Sequence, residues 1–269
     1  MHLTLVVFSL FLGLCLGSCA AAPASEHDIR TEQVTYIAGG ATCTGFLAWD
    51  AKLTGKRPGV LVVHEGWGHN DYVRRRARML AELGYTALAL DMYGDGKSAS
   101  HPQDAAKFMN EVLANMQVGT ERFTAAKNVL QDHETVDRDR VAAIGYCFGG
   151  AVVLGMARAG MDLDAVVSFH GSLATKTPAA KGAIKARLLV CNGAADSFVS
   201  TAEIAAFEAE MDAAGATWRF ESYPGAVHGF TSPDATANGK KFNLPLAYDE
   251  AADRKSWASM QALFADVWK

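Results

Sequence analysis

Residues 144–153 read IGYCFGGAVV and place a cysteine between two glycines. A cysteine side chain becomes a strong nucleophile once it loses its proton, because the thiolate is the attacking species. The pattern Gly145-x-Cys147-x-Gly149 has the spacing of a nucleophile elbow, a sharp strand-to-helix turn that exposes the nucleophile. Glycines suit that turn because strained backbone and close helix packing leave no room for side chains. The same pattern also fits a small buried residue in a tight turn, so the surrounding sequence decides.

A nucleophile at such a turn needs a base, and His228 in YPGAVHGF is a candidate. Asp196 in CNGAADSFV precedes it, which gives the chain order nucleophile, acid, histidine that α/β-hydrolases use. The intervals are 196 − 147 = 49 and 228 − 196 = 32 residues, enough to return the chain to the same sheet edge each time. The alternatives are a turn or helix-capping aspartate and a loop histidine.

Short hydrophobic segments alternate with helical patterns from residue 57 onward, which predicts an α/β fold with a mostly parallel central sheet and helices on both faces. Predicted strands cover 60–63, 86–90, 141–144, 165–169, 187–190 and 218–223. Most are continuously hydrophobic, as expected for strands buried on both sides. Ligands bind at the carboxyl ends of such strands, where Cys147, Asp196 and His228 all lie.

Helices are predicted near 71–83, 103–115, 119–131, 149–159, 201–214 and 248–267, the last with a core-facing stripe that includes Trp257 and Phe264. Residues before 57 predict an antiparallel pair of strands that turns at Gly39 and Gly40. The arginines at 74–76 and 78 spread around their helix and cannot form one binding face, so we expect them on a solvated surface.

The composition bounds the class of protein. A chain of 269 residues with 50% hydrophobic and 20% charged residues can form one large domain, assigned to residues 25–269. A formal net charge of −4 provides no broad positive field for phosphates, so nucleic acid is not an expected partner. The oligomeric state is left open.

Residues 1–24 are apolar and then rich in small residues, which predicts a secretory signal segment. The sequence LGSC resembles a bacterial lipoprotein processing box and makes Cys19 a candidate lipid anchor, whereas cleavage after Ala24 is the alternative. We therefore expect an exported protein, either periplasmic or a membrane-anchored lipoprotein. Outside the segment, Cys43, Cys147 and Cys191 form an odd set, so at least one thiol must be free.

The motifs HEGWGHN, ALALDMYG, IGYCFGG, CNGAADSFV and YPGAVHGF, in this order, resemble the dienelactone hydrolase family from about residue 30 onward. The resemblance implies an α/β-hydrolase fold and a hydrolase that cleaves a lactone or small carboxylic ester. It also implies a triad of Cys147, His228 and Asp196, an acyl-enzyme intermediate, and no cofactor. The expected partner is a small-molecule ester or lactone.

The resemblance assigns Glu65 a further role. It implies that the resting thiol is largely neutral and hydrogen-bonded near Glu65, and that Glu65 shifts on substrate binding and takes the thiol proton. The backbone N–H groups of Phe148 and Gly66 are then expected to hold the oxyanion. Substrate-binding roles are expected for four further residues, Trp67, Tyr93, His170 and Phe230.

Two departures from the family bear on the substrate. Arginines that hold a substrate carboxylate in dienelactone hydrolases are replaced here by Asp95 and Ser232. The tail from residue 232 to 257 is also long and is expected to cap the pocket. The alternatives are therefore a broad carboxylesterase or thioesterase acting on neutral esters, or a non-catalytic exported protein that binds a ligand on a hydrolase scaffold.

Metal and phosphate sites are not predicted. In HEGWGH, His64 and His69 are five residues apart, whereas a zinc protease helix places its histidines four apart. The segment GDGKS lacks the upstream glycine of a phosphate-binding loop. Asp91, at a strand end, is expected to stabilise its turn.

Overall fold

The computed structural model describes Met1 and residues 27–269, which form an eight-stranded sheet flanked by seven helices. The strands are β1 Ile29–Ala38, β2 Ala41–Asp50, β3 Arg57–Val63, β4 Thr86–Leu90, β5 Val136–Tyr146, β6 Ala165–Phe169, β7 Arg187–Gly193 and β8 Trp218–Tyr223. The helices are α1 Asp71–Glu82, α2 Pro102–Leu113, α3 Met116–Asp132, α4 Phe148–Arg158, α5 Thr201–Ala214, α6 Ala235–Phe242 and α7 Glu250–Val267.

The sheet order β1-β2-β4-β3-β5-β6-β7-β8 confirms the predicted α/β class. Strands β3 to β8 are parallel, whereas β2 pairs antiparallel with both β1 and β4. Chain direction across the sheet reverses at β3 and β5, since β3 continues to β4 on one side and β5 continues to β6 on the other. A crevice opens at such a switch point, beyond the carboxyl ends of the two strands. Glu65 and Cys147 follow these two strands.

Helices cover both faces, as predicted. Phe123 of α3, Val152 of α4 and Phe207 of α5 belong to one buried cluster, and Leu80 of α1 and Phe264 of α7 belong to the other. Strands β4 and β6 are buried along their whole length between these layers. Their uninterrupted hydrophobic sequences follow from that burial.

Two features of the chain were not predicted. Strand β5 begins at Val136 rather than 141, because Val136 and Asp137 pair with Arg57 and Pro58 of β3; residues 138–140 are then passed over before pairing resumes between Val141 and Gly59. Helix α6 lies within the long tail and has only 8 residues, too few for a clear helical repeat in the sequence.

The expectation of a fully solvated arginine surface on α1 was wrong for Arg76, which is 1% exposed. Its Nη2 donates to Asp253 Oδ1 at 2.6 Å and to the Thr231 carbonyl at 2.7 Å. Its guanidinium also lies over the rings of Tyr72 and Trp257. Arg76 shares the inward helix face with Tyr72, so it is buried between α1 and α7, and the paired carboxylate makes that burial tolerable.

The predicted signal segment and Cys19 lie outside the residues that the structure describes, so export stays a prediction from the sequence. No helix among residues 27–269 is both long and apolar enough to cross a bilayer. Cys43, Cys147 and Cys191 are all free thiols, and of the three only Cys147 is partly exposed.

Candidate active site

Cys147 occupies the turn between β5 and α4, with φ 53° and ψ −113°. A positive φ is costly for any residue other than glycine and persists only where the surrounding structure holds it. The Cys147 N–H donates to the Phe169 carbonyl at 3.0 Å and to Nδ1 of His170 at 3.1 Å. These bonds fix the strained turn and leave the sulfur at the sheet edge.

Three glycines make the turn possible. A Cβ atom at Gly145 would lie 2.1 Å from the Gly149 carbonyl oxygen, and one at Gly149 would lie 2.4 Å from the Val63 carbonyl oxygen. A Cβ at Gly150 would lie 2.8 Å from the Cα of Gly171. The glycine pattern in the sequence is thus explained by backbone-to-backbone contact.

His228 and Asp196 form a pair beside this turn. Asp196 follows β7, and its Oδ2 accepts a hydrogen bond from Nδ1 of His228 at 2.9 Å. Its Oδ1 accepts the Phe198 N–H at 2.9 Å, and the Phe198 ring meets the His228 ring edge-on with centroids 4.9 Å apart. Since Nδ1 is bound to the carboxylate, Nε2 of His228 is left to act on Cys147.

The charge on His228 is controlled by these neighbours. Burial lowers the pKa of His228, but the Cys147 thiolate and the Asp196 carboxylate outweigh burial and raise the pKa to about 10. The imidazolium is therefore favoured at neutral pH whenever Cys147 is ionised. The sequence predicted this grouping of Cys147, Asp196 and His228, and the structure brings the three together.

Glu65 enters the same cavity from the end of β3 and is 6% exposed. Burial raises the pKa of its carboxyl group to about 7, although the positive charges of His228 and Arg76 lower it. Interaction with the Ser232 side chain also lowers this pKa, and both Ser232 and Cys147 line the same cavity as Glu65. The structure thus brings Glu65 and Cys147 to one cavity, as the family resemblance implies.

His64 organises the peptide unit that joins Glu65 to Gly66. Its Nδ1 donates to the Glu65 carbonyl at 2.6 Å, while its Nε2 accepts the Met92 N–H at 3.2 Å. Burial lowers the pKa of His64 to about 4, which keeps the ring neutral. Because the carbonyl is held on one side, the Gly66 N–H of the same planar peptide points to the other. Sequence reasoning considered His64 only as a metal ligand and missed this role.

The cavity in front of Cys147 has a volume of about 150 Å³ and a mostly apolar wall. Its lining residues are Glu65, Gly66, Trp67, Pro102, Ala105, Met109, Cys147, Phe198, His228, Gly229, Ser232, Ala235, Leu244 and Leu246. The segment around α6 covers one side, and Phe242 of that helix stacks on Trp67 with ring centroids 5.8 Å apart. The predicted cap is thus part of the wall.

Of the four residues predicted to contact substrate, only Trp67 lines this cavity. Tyr93 is 2% exposed and its hydroxyl donates to the Gly66 carbonyl at 2.9 Å. His170 and Phe230 are fully buried and pack edge to face behind the site. These three side chains lie outside the lining of the cavity in front of Cys147.

The remaining polar predictions are explained by local contacts. Asp91 accepts hydrogen bonds from the N–H groups of Tyr93 and Gly94 at 2.9 and 2.8 Å, so it stabilises its turn as expected.

Both ring nitrogens of His64 are bound to backbone groups, which leaves none to hold zinc. Residues 27–269 contain no cluster of three or more His, Cys, Asp or Glu side chains suited to a metal ion.

Comparison with known proteins identifies the family. The sequence profile described as the dienelactone hydrolase family matches residues 44–268. The chain belongs to the dienelactone hydrolase family. A carboxymethylenebutenolidase-like protein of Methylorubrum extorquens is 30% identical over 187 residues, which are 65% of this chain and 64% of that protein.

Solved structures of the family share the fold. The structure of m3DLH superposes with a TM-score of 0.85 at 38% identity and covers 90% of this chain and 99% of its own. The dienelactone hydrolase-like promiscuous phosphotriesterase P91 superposes with a TM-score of 0.82 at 35% identity, covering 89% and 98%. Membership identifies the chain as a hydrolase of the carboxylic ester or lactone type.

The close backbone contacts at the turn predict that alanine substitutions at two glycines of α4 differ in their effect on stability. In Gly149→Ala the added methyl group would collide with the Val63 carbonyl, so the substitution should lower the free energy of unfolding by about 1–3 kcal/mol or more. Gly155→Ala, on the same helix, meets only the end of Met116 at 3.4 Å and should be neutral or stabilising by up to about 1 kcal/mol. Urea denaturation measures both, and equal effects would contradict the packing described for the turn.

Proposed function

We propose that this protein hydrolyses small neutral carboxylic esters or lactones through a covalent intermediate on Cys147. The observation that carries the proposal is the position of Cys147, strained at the sheet edge, open to the cavity and beside a histidine aligned by Asp196. Nucleophile, base and orienting carboxylate in this relation are the parts that acyl transfer requires.

The first step is removal of the thiol proton. Glu65, whose carboxyl pKa of about 7 suits proton exchange near neutrality, accepts that proton, and the His228 imidazolium stabilises the resulting thiolate. The thiolate attacks the carbonyl carbon, and the carbonyl oxygen becomes an oxyanion. The N–H groups of Phe148 and Gly66 are its donors, because neither has a protein partner among the described residues; Gly66 lines the cavity and Phe148 directly follows Cys147 at the start of α4.

Collapse of the tetrahedral species breaks the ester bond. The leaving oxygen takes the proton of His228 and departs as an alcohol, which leaves a thioester on Cys147 and a neutral His228. His228 then takes a proton from a water molecule as that water attacks the thioester. Expulsion of the thiolate releases the carboxylic acid and restores the imidazolium, and Glu65 then returns its proton to the Cys147 thiolate. The net reaction is ester plus water to acid plus alcohol.

Charge in the cavity favours a neutral substrate. The lining contains one acidic side chain, Glu65, and neither lysine nor arginine. The nearby guanidinium of Arg76 is bound to Asp253 and to the Thr231 carbonyl. Asp95 accepts the Thr42 N–H at 3.1 Å, outside the cavity, and Ser232 lies in the wall. A substrate carboxylate would therefore meet the Glu65 carboxylate, while the imidazolium of His228 in the cavity wall is already paired with Asp196.

The nucleophile is tested with a small chromogenic ester such as p-nitrophenyl acetate. Cys147→Ala and prior treatment with iodoacetamide should each abolish hydrolysis, because both remove the attacking sulfur. Cys43→Ala is the matched control, since Cys43 is buried away from the cavity and should retain activity. Persistent turnover by a folded Cys147→Ala protein would refute the proposed site.

Substrate charge is tested with two phenyl esters of equal length that differ by one terminal carboxylate. The wild type should prefer the neutral ester in kcat/KM by about tenfold or more, the ratio that about 1.4 kcal/mol of repulsion produces. Ser232→Arg restores a cation at the cavity wall and should narrow or reverse that ratio. Equal rates for both esters in the wild type would contradict the assignment of a neutral substrate.

The role of Glu65 predicts a pH dependence. Its carboxyl group is protonated below pH about 7 and accepts no proton there, so kcat/KM should rise with pH through a midpoint near 7. Glu65→Gln should lower the rate and remove that limb. A pH profile of the variant with the same midpoint would assign the titration to another group.

A further inference from the structure

We propose that His170 is a positioning residue for the nucleophile: its unprotonated Nδ1 holds the Cys147 N–H, and Thr231 fixes its ring in one neutral tautomer. The inference rests on the function proposed above for Cys147. His170 is fully buried and takes no part in the proposed hydrolytic steps.

The tautomer of His170 follows from a partner that can only donate a hydrogen bond. The Cys147 backbone N–H can only donate, and it lies 3.1 Å from Nδ1 of His170, so Nδ1 must carry a lone pair. A neutral ring then carries its proton on Nε2, which lies 2.7 Å from Oγ1 of Thr231. Oγ1 of Thr231 therefore accepts a hydrogen bond from this Nε2–H. His64 has the opposite tautomer, since its Nδ1 donates to a carbonyl.

A buried polar chain holds Thr231 in turn. Its Oγ1 lies 2.6 Å from the Tyr72 hydroxyl, and that hydroxyl accepts a hydrogen bond from Nε of Arg76 at 3.3 Å. Arg76 also binds the Thr231 carbonyl and Asp253 of α7. His170 and Thr231 are both 0% exposed. The chain thus connects α1 and α7, on one face of the sheet, to the backbone of the turn.

These contacts prevent His170 from acting as a second base. Its ring centroid is 5.2 Å from that of His228, yet both of its nitrogens are occupied. Burial lowers the pKa of His170 well below its usual value, and the positive charges of His228 and Arg76 lower it further. His228 therefore remains the histidine that exchanges protons with the nucleophile and the leaving group.

The turn that carries Cys147 needs such support because its backbone is strained. Cys147 has φ 53° and His170 has φ 40°, so two residues other than glycine hold strained conformations side by side. Strain persists only where surrounding contacts over-determine it. A relaxed turn would move the sulfur relative to His228, and a displacement of about 1 Å can cost about 100-fold in rate.

The direct test is the proton position on His170 in the full-length protein. Long-range ¹H–¹⁵N spectra of histidine-labelled protein, with the ring signals assigned through the backbone, distinguish the two neutral tautomers and the imidazolium. We expect His170 as the Nε2–H form and His64 as the Nδ1–H form at neutral pH. An Nδ1–H or doubly protonated His170 would overturn the inference, whatever the activity of the protein.

Kinetics give the second test, with matched variants. Thr231→Val keeps the shape but removes the acceptor, and His170→Ala removes the contact to Cys147; both should lower kcat by about 10- to 100-fold with little change in KM. Thr231→Ser keeps the hydroxyl, and His170→Asn keeps an acceptor and tolerates positive φ, so both should recover most of the loss.

Two outcomes would overturn the positioning role. One is equal kcat in Thr231→Val and Thr231→Ser. The other is a Thr231→Val protein whose KM rises while kcat is unchanged. Neither outcome bears on the proposed function, which the activity of Cys147→Ala tests separately.

Discussion

The close approach of helix α4 to the carboxyl ends of the parallel strands is the constraint on which the site depends. A Cβ atom at Gly149 would lie 2.4 Å from the Val63 carbonyl oxygen, so the helix begins as near to the sheet as a backbone allows. That proximity forces Cys147 to a φ of 53° and leaves its sulfur outside the sheet edge. It also places the free Phe148 N–H, at the positive end of a helix, beside the position where an oxyanion would form.

The burial of the ionisable side chains around the cavity is a second constraint on the site. His228, Asp196 and Glu65 are each less than 10% exposed, so their charges act on one another with little screening. The same burial keeps His64 and His170 neutral, and each then fixes a peptide unit by presenting one donor and one acceptor. In the proposed reaction, Glu65 and His228 exchange protons and Asp196 orients His228, whereas His64 and His170 only hold the backbone.

The sheet and the grouping of Cys147, Asp196 and His228 could be predicted because both follow from local rules. Hydrophobic segments indicate buried strands, and polar residues after parallel strands must meet at one edge. The roles of Tyr93, His170 and Phe230 could not be read in this way. Their types suit a pocket, but only tertiary packing shows that they lie behind the wall. Arg76 illustrates the same limit, since its helix surface reads as solvated until the distant Asp253 is placed beside it.

The central claim is that the acyl group is transferred to Cys147 before water releases it. Rapid quenching of the wild-type protein during turnover of p-nitrophenyl acetate, followed by peptide mass spectrometry, tests this directly. The account predicts a mass increase of one acetyl group on the peptide that contains Cys147, formed within the burst of p-nitrophenol release. Steady turnover with no adduct, or an adduct on any other side chain, would contradict it.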